Sequence, residues 1–160
     1  MAKQPLAVGK KAPTFTLPDQ NDQPVATADL AGKWAVLYFY PKDDTPGCTT
    51  EACEFTSHLQ EFEGLSARVL GVSPDSTASH REFIAKHRLA IDLLSDPDRQ
   101  VLEQYGAWGE KTMYGKKVEG VIRSTVLIDP TGKVAHHWAN VKAAGHAEAV
   151  RQRLAELQAG

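Results

Sequence analysis

Seven consecutive apolar residues, Trp34-Ala-Val-Leu-Tyr-Phe-Tyr40, stop at Pro41, and this run constrains the fold more than any other stretch of the chain. A strand with one wet face alternates apolar and polar residues, whereas a strand apolar on both faces belongs in the middle of a covered sheet, and proline cannot extend it. From Thr45 the period changes. Cys48, Ala52, Phe55, Leu59 and Phe62 fall 4, 3, 4 and 3 residues apart, the spacing of one helical face, and Gly64 ends the run. Ala67-Arg-Val-Leu-Gly-Val-Ser73 then reads as a second strand. Strand, helix and strand at this spacing make a crossover between parallel neighbours.

The pattern continues with a helix from about Ser76 to His87 and a short strand near Ile91 to Leu94. A third helix is predicted with Asp96 as N-cap, Pro97 as its first residue and Gly106 just past its end. Thr125–Asp129 and Lys133–Trp138 flank Asp129-Pro130-Thr131-Gly132, whose residues suit a type I turn, so the pair reads as an antiparallel hairpin. Ala147, Val150, Leu154 and Leu157 share one face of a closing helix. Phe15 and Leu17 alternate between prolines in the first 30 residues and predict an N-terminal hairpin. The order is that of a thioredoxin-like α/β fold: a mixed central sheet flanked by helices, with an N-terminal β-hairpin extension. No repeat, low-complexity tract or linker interrupts it, so residues 1–160 are expected to form a single domain.

Composition excludes several functions. A hydrophobic fraction of 42% and a charged fraction of 24% are those of a globular protein with its own core. The net charge of −2, with no Lys/Arg cluster longer than a pair, lacks the footprint of a nucleic-acid binder. The run at Trp34–Tyr40 is too short to cross a bilayer. Met1 to Pro13 carries Lys3, Lys10 and Lys11 but no apolar signal-peptide core, so a cytoplasmic protein is expected. Two cysteines in such a chain point to catalysis, redox switching or plain burial rather than a disulfide framework.

The segment that decides among these is Pro41-Lys-Asp-Asp-Thr45-Pro46-Gly47-Cys48-Thr-Thr-Glu51-Ala-Cys53. By capping rules Thr45 is the N-cap, Pro46 is N1 and Cys48 is N3. A carboxylate commonly occupies N3, where free backbone N–H groups and the positive end of the helix dipole meet it. Here a thiol stands there instead, and the same field favours its thiolate, the nucleophilic form. The blander reading makes Cys48 the first small hydrophobe of the buried stripe.

The surrounding residues tip the balance. Pro41, Thr45 and Cys48 form Pro-x-x-x-Thr-x-x-Cys, which resembles the active-site motif of peroxiredoxins. Gly47 before the cysteine and Thr-Thr-Glu-Ala-Cys after it are similar to the bacterioferritin-comigratory-protein, or peroxiredoxin Q, subfamily. So are Val8-Gly-Lys-Lys-Ala-Pro-Thr-Phe15, Tyr105-Gly-Ala-Trp-Gly-Glu-Lys111 and Gly120-Val-Ile-Arg123-Ser-Thr-Val-Leu-Ile-Asp129. The resemblance covers nearly the whole chain, with no departure at the motif positions. It implies a thiol peroxidase that reduces hydrogen peroxide and small organic hydroperoxides. Cys48 is then the peroxidatic residue, and Pro41, Thr45 and Arg123 build its pocket. Cys53 is the resolving residue of an intrachain disulfide, and thioredoxin or a similar dithiol is the reductant.

The chemistry matches these residue types. Attack of a thiolate on a peroxide spreads negative charge over sulfur and both oxygens, and preorganised donors must meet it. Arg123, Thr45 and the free N–H groups of the helix start are expected to supply them, although composition alone makes Arg123 an ordinary surface cation. The resulting sulfenic acid condenses with a nearby thiol. Residues five apart in a helix climb about 7.5 Å and turn about 140°, so a Cys48–Cys53 disulfide requires the helix to unwind locally.

No cofactor or metal is expected. Cys48, Cys53 and His58 recur every five residues and cannot converge on one ion in a helix. All six histidines are expected at the surface or half-buried, with His136 and His137 on opposite faces of a strand. Asp43-Asp44 reads as pocket loop rather than cation site, and there is no Gly-rich phosphate loop. A monomer is expected because Cys53 offers a partner thiol within the chain. Two rivals remain: a thioredoxin-like disulfide oxidoreductase, which would want Cys-x-x-Cys at the helix start, and a non-catalytic thioredoxin-fold interaction module, which would lack Cys48, Thr45 or Arg123.

Overall fold

The structure, a computed structural model, describes residues 6–160; residues 1–5, with Lys3 of the basic start, lie outside the described residues. β1 (Thr16–Pro18) and β2 (Pro24–Ala26) form the N-terminal hairpin, antiparallel with Leu17 opposite Val25. Phe15, Leu17 and Val25 are buried while Thr16 is exposed, as the alternation predicts. β3 (Trp34–Phe39) leads to α1 (Pro46–Ser57), α2 (Leu59–Gly64) and β4 (Ala67–Ser73). α3 (Thr77–His87) connects β4 to β5 (Asp92–Ser95), and α4 (Gln100–Gln104) follows. β6 (Trp108–Met113) and β7 (Lys116–Val121) form a hairpin of their own. β8 (Ser124–Ile128), β9 (Val134–Trp138) and α5 (His146–Ala159) complete the chain.

The main sheet has the order β5-β4-β3-β8-β9. β3 is parallel to β4 and antiparallel to β8, which makes the sheet mixed and puts the apolar run of the sequence at its centre. Its residues alternate between two cores. Ala35, Leu37 and Phe39 pack with the N-terminal hairpin and α4, whereas Val36, Tyr38 and Tyr40 pack with α1, α2, α3 and α5. Each large side chain buried this way contributes about 1.5–3 kcal/mol. Gly71 in β4 lies opposite Tyr38, whose ring would stand 2.7 Å from a Cβ there. A glycine in mid-strand is thus the space that lets Tyr38 lie flat.

Three elements differ from the sequence reading. The helix predicted from Thr45 to Gly64 breaks at His58 (φ −98°, ψ 5°). Ser57 donates its hydroxyl to the Glu54 carbonyl at 2.9 Å, the acceptor that the His58 N–H also uses at 3.1 Å, and this competition loosens the turn. Both halves still bury the predicted stripe, since Phe55 and Phe62 are each inaccessible. The third helix starts at Gln100 rather than Pro97, because Asp96 to Arg99 forms a turn that ends with Arg99 at φ 63°. Asp96 still serves the helix start, accepting from the Leu102 N–H at 2.8 Å. The β6–β7 hairpin has no counterpart in the sequence reading. Its faces are largely exposed, so it has no apolar alternation; the legible signal was Tyr114-Gly115, both at positive φ (52° and 77°) as a tight hairpin turn needs.

Candidate active site

The site lies where β3 ends. Thr45 occupies the N-cap position of α1 in an extended conformation, and Cys48 is the third helical residue. Its sulfur is buried, the residue being 1% exposed. The pairing of Phe39 with Ser124 places Arg123, the residue before β8, across the exit of β3. From there its Nη2 donates to Cys48 Sγ at 3.3 Å and its Nη1 to Glu51 Oε1 at 2.6 Å. Gly47 makes the approach possible, because a Cβ there would lie 3.1 Å from Arg123 Nη2. Pro41 and Arg123 line one open cleft between the β3–α1 loop and the β6–β7 hairpin.

Thr45 behaves differently from expectation. Its side chain makes no cap to α1, and its hydroxyl donates to the Lys42 carbonyl at 2.8 Å. The proton is thereby engaged inside the loop, and the oxygen is left with acceptor capacity rather than a free donor. Cys53 lies further along α1, half-buried, and both cysteines are free thiols. The helix between them is intact.

Glu51 is the residue that the sequence reading missed. It is fully buried, one turn from Cys48 on the same helical face, and its Oε2 has no hydrogen-bond partner among the described residues. Burial pushes its carboxyl up to about 7, with Arg123 pulling it back only in part. Burial also works against the charge of Arg123, but Glu51 and Cys48 hold its pKa above the ordinary value. Lys111 lies on the same cleft, its pKa lowered by burial and then by Arg123. The signal for Glu51 was its spacing of three from Cys48 on a predicted buried face.

The loop before the helix is held by a second polar cluster. Asp43 accepts from the Tyr40 hydroxyl at 2.6 Å, from Ser79 Oγ at 2.8 Å and from His80 Nδ1 at 2.7 Å. His80 Nε2 faces the Leu94 carbonyl at 2.9 Å. Asp44 pairs with Lys86 and His87 of α3. His80 and His146 correct the expectation of surface histidines, being 0% and 6% exposed. Each is buried because a polar partner meets its ring: Asp43 for His80, and Thr125 Oγ1 for His146 at 2.7 Å. Burial and Arg123 push His146 down to about 4, so it is neutral. His58, Glu61 and Glu148 cluster on the surface, where Arg151 already pairs with both carboxylates.

Known proteins resemble this chain over most of its length. The model of the AhpC/TSA family matches residues 8–137. Peroxiredoxin Bcp of Xanthomonas campestris is 51% identical over 129 residues, covering 81% of this chain and 79% of its own. Peroxiredoxin Bcp of Bacillus subtilis is 41% identical over 152 residues, covering 95% and 97%. The solved structure of Xanthomonas campestris peroxiredoxin Q superposes with a TM-score of 0.87 at 43% identity, covering 93% of this chain and 97% of that one. A cysteine-to-serine mutant of Xylella fastidiosa PrxQ gives 0.91 at 39%, covering 98% and 99%. The chain belongs to the AhpC/TSA family, in its Bcp/peroxiredoxin Q group. It is a thiol-dependent peroxidase on a thioredoxin-like fold. Among the described residues no helix is long and apolar enough to cross a membrane.

Proposed function

We propose that Cys48 is the peroxidatic nucleophile and Cys53 the resolving thiol of this peroxidase. The observation that carries the reading is the guanidinium of Arg123, held between Cys48 Sγ and the buried Glu51 carboxylate. The Cys48 thiolate attacks one peroxide oxygen, the O–O bond breaks, and hydroxide or alkoxide leaves to take a proton from water. Arg123 meets the negative charge that spreads over sulfur and oxygen, and Glu51 fixes its orientation. The Thr45 oxygen, with its own proton engaged by Lys42, accepts the O–H of the incoming peroxide. Pro41 closes one wall of the cleft.

The sulfenic acid on Cys48 then condenses with the Cys53 thiol, forming the S–S bond and releasing water. Two helical residues five apart have Cα atoms roughly 8–9 Å apart, beyond the reach of a disulfide, so residues 48–53 unwind in each cycle. A thioredoxin-type dithiol reduces the bond by exchange. The substrates are hydrogen peroxide and small organic hydroperoxides. The Xanthomonas campestris bacterioferritin comigratory protein, 42% identical with a TM-score of 0.87, supports this class through its alkyl peroxide reduction activity. The reading takes residues 1–160 as one domain acting as a cytoplasmic monomer.

The test is a pair of substitutions assayed for peroxide consumption. Cys48→Ser should abolish turnover with any reductant, because serine provides no accessible anion at neutral pH. Cys53→Ser should retain the first attack, seen as one sulfenic acid per chain, and lose thioredoxin-driven recycling. Turnover in Cys48→Ser, or unimpaired thioredoxin coupling in Cys53→Ser, overturns the corresponding role.

A further inference from the structure

We propose that Lys111 anchors the anionic group of a carboxylate-bearing organic hydroperoxide, which lies along the cleft with its O–O bond at Cys48. The inference rests on the peroxidase site described above and adds a substrate class and a selectivity residue to it. The cleft sets apolar Pro41, Val121 and Ile122 beside the cations Arg123 and Lys111, with the carboxylate of Glu110 at its edge. A hydroperoxide with a carbon skeleton and a remote negative charge matches that distribution. Hydrogen peroxide uses only the Arg123 end.

Lys111 is built into its place. The neighbouring hairpin lysines, Lys116 and Lys117, are exposed, but Lys111 is half-buried. Its ammonium donates to the Val121 carbonyl at 2.8 Å, two residues before Arg123. Its stem runs past Gly120, where a Cβ would stand 2.9 Å from Lys111 Cε. A glycine there leaves the space that a bent lysine needs. Lysine is a flexible, strongly hydrated cation that ordinarily extends into water, so holding it in a cleft has a cost.

Among the described residues only Cys48 offsets that cost with charge, against burial and the repulsion of Arg123. Among the described residues no carboxylate lies within 4.0 Å of the Lys111 ammonium, and Glu110, the acidic residue on the same cleft, is paired with Lys117. Arg123 has Glu51 and Cys48 in direct contact, whereas Lys111 is the cation of the cleft that has no carboxylate paired with it among the described residues. One of its three protons goes to Val121, and two remain for a ligand. An anion is the group that turns this arrangement from a cost into a gain.

The test compares cumene hydroperoxide with its para-carboxylate, two substrates of one shape and different charge, using the full chain and dithiothreitol. The unaltered protein should favour the carboxylate in kcat/KM. Lys111→Met should lower the ratio of the two kcat/KM values about tenfold, the scale of one charge-assisted hydrogen bond in a half-solvated site, while Lys111→Arg keeps most of it. Gly120→Ala should lower the ratio as well, because it displaces the stem and leaves the charge. Added salt should weaken the preference of the unaltered protein and leave Lys111→Met unaffected. A ratio unchanged within twofold in Lys111→Met overturns the anchor, and so does an equal loss on both substrates, which would assign Lys111 to the peroxide chemistry itself. Failure of the unaltered protein to reduce cumene hydroperoxide overturns instead the site reading on which the anchor rests.

Discussion

Two buried carboxylates stand eight residues apart on either side of the start of α1, and they are treated in opposite ways. Asp43, in the loop, has both oxygens engaged by Tyr40, Ser79 and His80, and its own N–H donates to Asp75 Oδ2 at 2.8 Å. Glu51, in the helix, has a single partner in Arg123 and an Oε2 with none among the described residues. A buried acceptor left unmade costs about 1–3 kcal/mol, whereas a satisfied network stiffens what it holds. The loop from Pro41 to Thr45 is therefore pinned to α3, and the helix that carries both thiols includes a group whose burial disfavours the folded state. In the proposed cycle that division is useful, because α1 has to unwind for the disulfide while Pro41 to Thr45 must be ready for the next peroxide.

The largest effect is expected from Asp43→Ala, which leaves His80 buried without its carboxylate and should cost about 3–5 kcal/mol in urea unfolding. A loss below about 1 kcal/mol would mean that the loop is not held by this pair. Arg123→Ala should slow the reaction of the reduced enzyme with peroxide by about 10²–10³-fold, the scale of one preorganised donor. A rate within twofold of the unaltered enzyme would return Arg123 to an ordinary surface charge.

Amide exchange on the oxidised protein separates the loop from the helix directly. Residues 48–55 should lose at least about tenfold in protection when the Cys48–Cys53 bond forms, while 41–45 and the β3 strand keep theirs. Equal loss in loop and helix would show that the clamp lets go with α1.

The smallest effect concerns pH. The folded-state carboxyl of Glu51 is raised to about 7 from an ordinary 4.5, so the folded helix binds the proton more tightly than the unwound one. Its contribution to helix stability is full below pH 4.5 and is lost as pH rises to about 7. In the reduced protein, opening of residues 48–55, corrected for intrinsic exchange, should increase several-fold over that window. Glu51→Gln should flatten the dependence, whereas an unchanged profile would remove Glu51 from the balance.

What the sequence determined by itself is what short-range physics decides. A fully apolar heptapeptide has to be a covered strand, and β3 is one, with its alternate residues in two cores. Ser76 caps α3, accepting from Ser79 N–H at 3.1 Å, and Asp129 to Gly132 closes the β8–β9 hairpin, since caps and turns are set within four residues. The peroxiredoxin motif named Pro41, Thr45, Cys48, Cys53 and Arg123, but it said nothing about what holds them. The partners were decided by tertiary structure: Arg123 meets Cys48 across 75 residues and Glu51 across 72, and Asp43 meets His80 across 37. Those meetings depend on the register of β3 against β8 and on how α3 packs, and no local pattern encodes either. The same reason hides Glu51, His80 and Lys111 from a linear reading. A charged residue is written in the sequence as a surface residue, and only the fold shows which ones it has enclosed and with what beside them.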